Sequence, residues 1–337
     1  MQAQDYDRPL LAITMGDAAG CGPEIIMKAL AAEDIYRRCR PLVFGDTGRL
    51  RQAALLVKST LLVRSVITSA HGSFEHGMVD VLDFANIPTN LPFGKISPLA
   101  GHAAFQYIEE AVRQAMDKEV AAVVTAPVNR EALQQGGHHY PGHAEILAAL
   151  SNADDCVVLL VGDRLKVIHV TAHVPMVEAA AFIKKDRIFR VIRLADRMLR
   201  LLGISRPRIA VAGFNAHAGE NGLLGREEIE EIVPAIEAAR QEKINALGPI
   251  SPDVVFFRAA CRKEYDIVVA MYHDQGHIPV KMLGFDDGIN VTVGLPFVQT
   301  SVDHGTAFDI AGQGTADRRS MTAALDFAIR LVSGSPR

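Results

Sequence analysis

Three histidines stand a few residues beyond runs of apolar, β-branched residues: His173 after Lys166-Val-Ile-His-Val-Thr-Ala, His217 after Arg208-Ile-Ala-Val-Ala-Gly-Phe-Asn-Ala, and His273 after Ile267-Val-Val-Ala-Met-Tyr. Runs of this kind read as buried strands, and parallel strands end on a common sheet edge, where ligands bind. Three imidazoles gathered there can hold a divalent metal and leave positions open for substrate oxygens. The separations, 173 to 217 and 217 to 273, carry no local metal signature. The residues alone therefore leave open histidines that only hydrogen-bond within their loops.

Two of these histidines sit in segments dense in donors and acceptors, Asn215–Gly222 and Tyr272–His277, each expected as a Gly-containing loop after an apolar strand. A third polar segment, Ser301–Gly312, mixes Asp303, His304 and Thr306 with glycines that admit close backbone approach to a ligand. Ser301, Asp303 and His304 permit a hydrolase reading, but there is no G-x-S-x-G elbow and triad members normally meet through the fold. The chain holds no G-x-x-x-x-G-K-[ST] phosphate loop, no H-E-x-x-H and no G-x-G-x-x-G between strand and helix. Gly16–Glu24 makes a Gly-rich turn between a strand and a helix, with Pro23 suited to the first helical turn. An ionised Asp17 in that turn would repel a phosphate.

The elements that must position these residues follow from hydrophobic period. Strands are expected at Leu10–Thr14, Pro41–Phe44, Val120–Thr125, Val157–Val161, Lys166–Val170, Arg208–Ala212, Ile267–Ala270 and Ile289–Val293. Helical spacing links Phe105, Ile108, Val112 and Met116, then Ile188 through Leu202, then Ile229, Ile232, Val233 and Ile236, all read as core-facing stripes. The alternation describes an α/β protein with a largely parallel sheet. No Gly-, Ser- or Pro-rich linker divides the 337 residues, so two domains are expected to interleave. Pro junctions at Ala126-Pro127 and Ile278-Pro279 suggest one domain of 1–128 plus 278–337 and another of 129–277.

With 49% apolar residues and a formal net charge of −4, the chain has core enough for a globular protein and no basic field for nucleic acid or an anionic membrane. The N-terminal residues carry charges rather than an apolar leader, and no apolar run approaches the ~18 residues of a span, so a cytoplasmic protein acting on a small molecule is expected. Four scattered cysteines, Cys21, Cys39, Cys156 and Cys261, are expected as free thiols.

At the same polar segments the sequence resembles the 4-hydroxythreonine-4-phosphate dehydrogenase family over nearly its whole length. The markers are Met15-Gly-Asp-Ala-Ala-Gly-Cys-Gly-Pro-Glu24, Thr125-Ala-Pro-Val128, Pro141-Gly-His-Ala-Glu145, Asn215-Ala-His-Ala-Gly-Glu220, Met271-Tyr-His-Asp-Gln-Gly276 and Ser301-Val-Asp-His-Gly-Thr-Ala307. Lys166-Val-Ile-His169 and Gln275-Gly-His-Ile-Pro279 resemble the branch acting on four-carbon phospho-sugar acids such as 4-phosphothreonate and 4-phosphoerythronate. His304–Gly312 is similar to the isocitrate and isopropylmalate dehydrogenases.

The resemblance implies an isocitrate/isopropylmalate dehydrogenase-like α/β fold: two interleaved α/β/α domains with an interdomain cleft, in a homodimer with its active site at the subunit interface. The first domain is implied to lie on the cofactor side and the second to carry the metal and dimer contacts. The implied cofactors are NAD and a divalent metal, zinc foremost, with cobalt, manganese or magnesium as alternatives. Metal ligands carry over onto His173, His217 and His273. Substrate positions fall on His143, Ala144, Lys281, Asn290 and Gln299, and catalytic roles on Lys281, His143 and Asp253. Cofactor positions fall on His304, Gly305, Asp309, Ile310 and Asp317, and Asp274 is placed to orient His273.

The implied reaction is oxidation of a secondary alcohol in a 3-hydroxy acid, with decarboxylation of the resulting 3-keto acid. Two positions depart from the family pattern. Ala144 stands where the family has Thr in Gly-His-Thr-Glu, and Gln299 where it has Arg in Pro-Phe-x-Arg-Thr-Ser. A neutral amide supplies neither the charge nor the fork by which Arg grips phosphate, so these positions favour a substrate end without phosphate. A non-phosphorylated cis-dihydrodiol of the terephthalate type is therefore the competing substrate. A metal-dependent hydrolase or a non-catalytic metal-binding protein using the same histidines is the alternative of another class.

Overall fold

The computed structural model describes residues 8–284 and 287–334 of the chain. Twelve strands are found among them: β1 (Leu10–Thr14), β2 (Arg40–Gly45), β3 (Leu62–Val66), β4 (Met78–Asp83), β5 (Ala122–Thr125), β6 (Val157–Val161), β7 (Lys166–His169), β8 (Ile209–Ala212), β9 (Ala246–Ile250), β10 (Ile267–Ala270), β11 (Ile289–Val293) and β12 (Val298–Val302). The chain packs as two units, one of residues 8–156 and 295–333, the other of residues 157–294.

In the first unit the strands run β3-β4-β2-β1-β5-β12, and every pairing is parallel. All six therefore end on the same edge. That edge carries the turn after β1, the Ala126-Pro127 junction after β5 and the His304 loop after β12. The long helix Pro98–Met116 starts from a Ser97 cap and buries Phe105, Ile108 and Val112, whereas Met116 at its last position is exposed.

In the second unit the order is β11-β6-β7-β10-β8-β9. β11 with β6 and β6 with β7 are antiparallel, while β7, β10, β8 and β9 are parallel neighbours. The carboxyl ends of β7, β8 and β10 accordingly share one edge, the arrangement on which the histidine argument depends. Leu160, Val167, Ala210, Val255, Val268 and Val280 form the core beneath it.

The chain crosses between units at Cys156/Val157 and Gly294/Leu295 rather than near 128 and 278. Packing accounts for both shifts. The helix His143–Ser151 buries Ile146 and Leu147 with Phe105, Ile108 and Leu133, which keeps 129–156 with the first unit. β11 pairs with β6, which keeps the segment after 278 with the second. Among the described residues no helix is long and apolar enough to cross a membrane.

Candidate functional site

His173 follows β7 by four residues, His217 follows β8 by five, and His273 follows β10 by three. The buried Gln275 fastens two of these ends together. Its Oε1 accepts the Met271 N–H at 2.6 Å and its Nε2 donates to the Gly213 carbonyl at 2.8 Å, tying the end of β10 to the end of β8. His273 does not lie in a loop, as its polar surroundings suggested, but begins the helix His273–Leu283. The polar segment Tyr272–His277 therefore spans the strand end and the first turn of a helix that has no side-chain cap.

The ring of His273 has its Nδ1 2.6 Å from Asp274 Oδ1. A neutral imidazole donating Nδ1–H to a carboxylate keeps its Nε2 lone pair for a ligand. The rings of His173 and His273 are 6.0 Å apart between centres. Two imidazoles bound to one ion at about 2.0–2.1 Å have centres about 5–6 Å apart, so this pair fits a shared metal. Among the described residues no three His, Cys, Asp or Glu side chains gather into a metal-holding group.

His217 opens a run of left-handed backbone, with φ of 50° at His217, 52° at Ala218, 76° at Gly219, 42° at Glu220 and 57° at Asn221. L-residues resist this conformation. Buried Glu228 holds the turn: its Oε1 accepts the N–H groups of Phe214 and Asn215, both at 2.8 Å, and its Oε2 accepts from the Asn215 amide at 2.9 Å. Asp253 is exposed at the start of the helix Pro252–Ala260. The hydroxyl of Ser251, joined by the positive field of His217, holds its carboxyl below the usual range. A carboxylate so stabilised is a better hydrogen-bond acceptor than base.

Four histidines crowd the helix start. His277 stacks on His273 with centres 3.7 Å apart and planes 12° from parallel, and its Nδ1 lies 3.2 Å from Nε2 of His169. His169, at the end of β7, is almost wholly buried and has its own Nδ1 3.3 Å from the Val158 carbonyl. Burial pushes His169 down to about 3 and His277 down to about 4, neighbouring imidazoles adding to the effect, so both rings are neutral. Neither His169, His277 nor Glu228 was singled out as a site residue from the sequence. The signals available for the two histidines were their places in Lys166-Val-Ile-His169 and in the polar segment Tyr272–His277; Glu228 has none.

Lys281 lies on the same helix as His273 and His277 at successive four-residue steps, which places the three along one face. Its charge reaches His277. Asn290 is on β11, in register with Leu160 of β6.

In the first unit, His143 begins the helix His143–Ser151, followed by Ala144. Its Nε2 is buried without a hydrogen-bond partner among the described residues. Burial pushes this imidazole down to about 4, with Glu145 opposing. Gln299 is 1% exposed on β12 and donates from Nε2 to Thr125 Oγ1 at 3.1 Å, so part of its amide serves the sheet.

The Gly-rich turn Gly16–Glu24 has a definite task. Cys21 N–H donates to the Thr306 carbonyl at 2.9 Å, and Glu24 Oε1 accepts the Gly312 N–H at 2.6 Å, so the turn clasps both ends of the His304 loop. Gly16 has φ of 71°, and a Cβ there would stand 2.4 Å from the Pro127 carbonyl oxygen, which no side chain survives. Within the clasped loop His304 points Nδ1 at the Gly305 carbonyl, 2.9 Å away, and not at a carboxylate as a hydrolytic triad requires. Gly305 has open space where a Cβ would be, Asp309 is exposed, and Ile310 donates its N–H to the Ala307 carbonyl. Asp317 is engaged by Arg319, accepting from both its backbone N–H and its side chain at 2.8 Å.

Comparison with known proteins gives these features a family. The chain is 50% identical over 318 residues to the D-threonate 4-phosphate dehydrogenase of Cupriavidus necator, covering 94% of this chain and 95% of that one. It superposes on the crystal structure of a 4-hydroxythreonine-4-phosphate dehydrogenase from Klebsiella pneumoniae with a TM-score of 0.87 at 45% identity, covering 97% and 98% of the two chains. A terephthalate 1,2-cis-dihydrodiol dehydrogenase structure from Burkholderia xenovorans matches at 31% identity and a TM-score of 0.68 over 96% and 98%. The likeness to a beta-decarboxylating dehydrogenase from Thermococcus kodakarensis, at 13% identity and a TM-score of 0.54, bears on the fold alone and agrees with the isocitrate/isopropylmalate dehydrogenase-like α/β class. The family model for pyridoxal phosphate biosynthetic protein PdxA matches residues 37–328, and the chain belongs to that family.

Proposed function

We propose that the protein is a metal- and NAD-dependent dehydrogenase that oxidises the secondary alcohol of a phosphorylated four-carbon hydroxy acid of the D-threonate 4-phosphate kind, acting as a homodimer. The observation that carries the reading is the shared edge of β7, β8 and β10, from which His173, His217 and His273 emerge. Substrate class is supported by the C. necator relative, which is named for D-threonate 4-phosphate.

His173, His217 and His273 are the residues to hold a divalent metal, with His217 brought to the pair by its loop or by a second copy of the chain. Such an ion, when bound, would supply Lewis-acid polarisation of the substrate hydroxyl, and NAD would be the hydride acceptor. Zinc suits an all-imidazole donor set, with cobalt, manganese or magnesium the other ions to test. Lys281 offers a cation to a substrate anion or relays a proton. His143, neutral and with Nε2 unpartnered among the described residues, can accept a hydrogen bond or the alcohol proton. Asp253 stays ionised and sets the local field at His217. His304, Gly305, Asp309, Ile310 and Asp317 are the residues proposed to meet NAD, on a loop that the Gly16–Glu24 turn holds in place. Oxidation at C3 leaves a 3-keto acid, whose ketone accepts the electron pair released as the carboxylate departs as carbon dioxide.

A second reading, oxidation of a non-phosphorylated cis-diol, is favoured by Gln299, a neutral side chain partly committed to Thr125. The test is NADH formation by the metal-loaded protein with 4-phosphothreonate, 4-phosphoerythronate, 4-hydroxythreonine 4-phosphate and a terephthalate cis-dihydrodiol. Turnover of a phosphorylated acid at the highest kcat/KM supports the first reading. Preference for the diol supports the second, and no NADH with any of them removes both.

A further inference from the structure

The buried pair His169 and His277 has no part in the chemistry set out above, although two imidazoles are costly occupants for a core. Their geometry shows what they do for a third. His169 donates Nδ1–H to the Val158 carbonyl, which leaves its Nε2 as an acceptor facing Nδ1 of His277. His277 must then carry its proton on Nδ1, shared between His169 Nε2 and the His273 carbonyl, each 3.2 Å away. With its tautomer and ring angle set, the face of His277 lies flat on His273 at 3.7 Å. Asp274 meanwhile holds the edge of the same ring. The face contact and the edge contact together leave His273 one orientation.

Gly276 supports the same arrangement independently. A Cβ at this position would stand 2.4 Å from His169 Nε2, so the helix turn is left bare where the His169 ring arrives. His277 itself is not a third ligand beside His273. The in-plane lone pairs of two rings 12° from parallel lie in planes that do not meet near either nitrogen, so the two rings cannot aim at one ion.

We propose that His277, backed by His169, is a positioning residue that fixes the ring of His273 for metal binding. The proposal rests on the metal reading above, so zinc affinity is measured directly by chelator competition on the folded protein, with unfolding of the metal-free protein followed in parallel. Replacing His277→Leu keeps apolar bulk but removes the flat face and the hydrogen bond, and should weaken zinc binding by about 10- to 100-fold, the range for loss of such supporting contacts. His169→Asn keeps a donor for Val158 but loses the group that holds His277, and should weaken it similarly. The double variant should lose no more than the larger single loss, because both residues act through one contact. His277→Phe, which restores a flat ring against His273, should recover part of the affinity lost in His277→Leu.

A merely structural role predicts a lower melting temperature of the metal-free variants with zinc affinity unchanged, and that result overturns the proposal. Additive losses overturn the single chain of contacts. If the unmodified protein binds no zinc, the metal reading itself fails and this inference falls with it. If it binds zinc and all variants match it, only the inference fails.

Discussion

His273 illustrates how one ligand position is built from several directions: Asp274 on its Nδ1, His277 on its face, and a helix start that aims the residue from the end of β10. His173→Ala, His217→Ala and His273→Ala should each lose bound metal and most turnover while staying folded, since residues beyond strand ends bury little. Elemental analysis of the purified variants checks this, and stoichiometric metal in all three would remove the assignment. Asp309 is the residue that should decide between dinucleotides. An exposed carboxylate can accept from ribose hydroxyls but repels a 2′-phosphate, a preference for NAD over NADP of roughly 30-fold or more. Asp309→Lys should narrow the ratio of kcat/KM values, and equal use of both cofactors by the unmodified protein would contradict the role.

At the scale of elements, the left-handed run from His217 to Asn221 is the most strained feature of the second unit. Four of its five residues are not glycine, and each costs roughly 1–2 kcal/mol in this conformation. Three hydrogen bonds to Glu228 offset that strain. Glu228→Ala leaves two part-buried backbone donors without their acceptor, while the Asn215 amide keeps Glu227, and should destabilise the protein by about 2–3 kcal/mol in urea unfolding. Zinc affinity should fall with it, because His217 heads the released turn. A variant as stable as the parent would show that the turn is held by other means. In the first unit the comparable device is the Gly16–Glu24 turn, which ties the strand-end loops together through Thr306 and Gly312.

Stability of the molecule as a whole should register the burial of Asp17. This carboxyl is fully buried, and desolvation raises it from 3.8 to about 6, with the Ala19 N–H and Arg49 opposing. A carboxyl raised on folding binds its proton more tightly in the native state, so its contribution to stability falls as pH rises from about 4 to about 6. The total is about 3 kcal/mol above that window. Asp17→Asn removes the titration. Relative to the parent, the variant should be more stable at pH 7 than at pH 4 by roughly 2–3 kcal/mol, measured by urea unfolding at both values. A difference independent of pH would mean that the native carboxyl titrates normally.

The strand ends that carry the candidate ligands were legible in the sequence because continuous β-branched runs have few other uses than buried strands. The expected bounds of β1, β6, β10 and β11 coincide with those of the structure. β3, β4, β9 and β12 were not expected. β3 carries Arg64 and Ser65, β4 carries Asp80 and Asp83, β9 contains Gly248-Pro249 and β12 holds Gln299-Thr300-Ser301, so none shows an apolar run. These strands form because neighbours pair with them, not because their residues prefer it. The same division holds at the site. The kinds and order of His173, His217 and His273 are properties of the sequence. The helix that begins at His273, the Glu228 clamp and the meeting of His169 with His277 across 108 residues exist only in the folded chain. Local period records which face of an element is buried, whereas which polar groups meet on burial is set by the register and packing of distant strands.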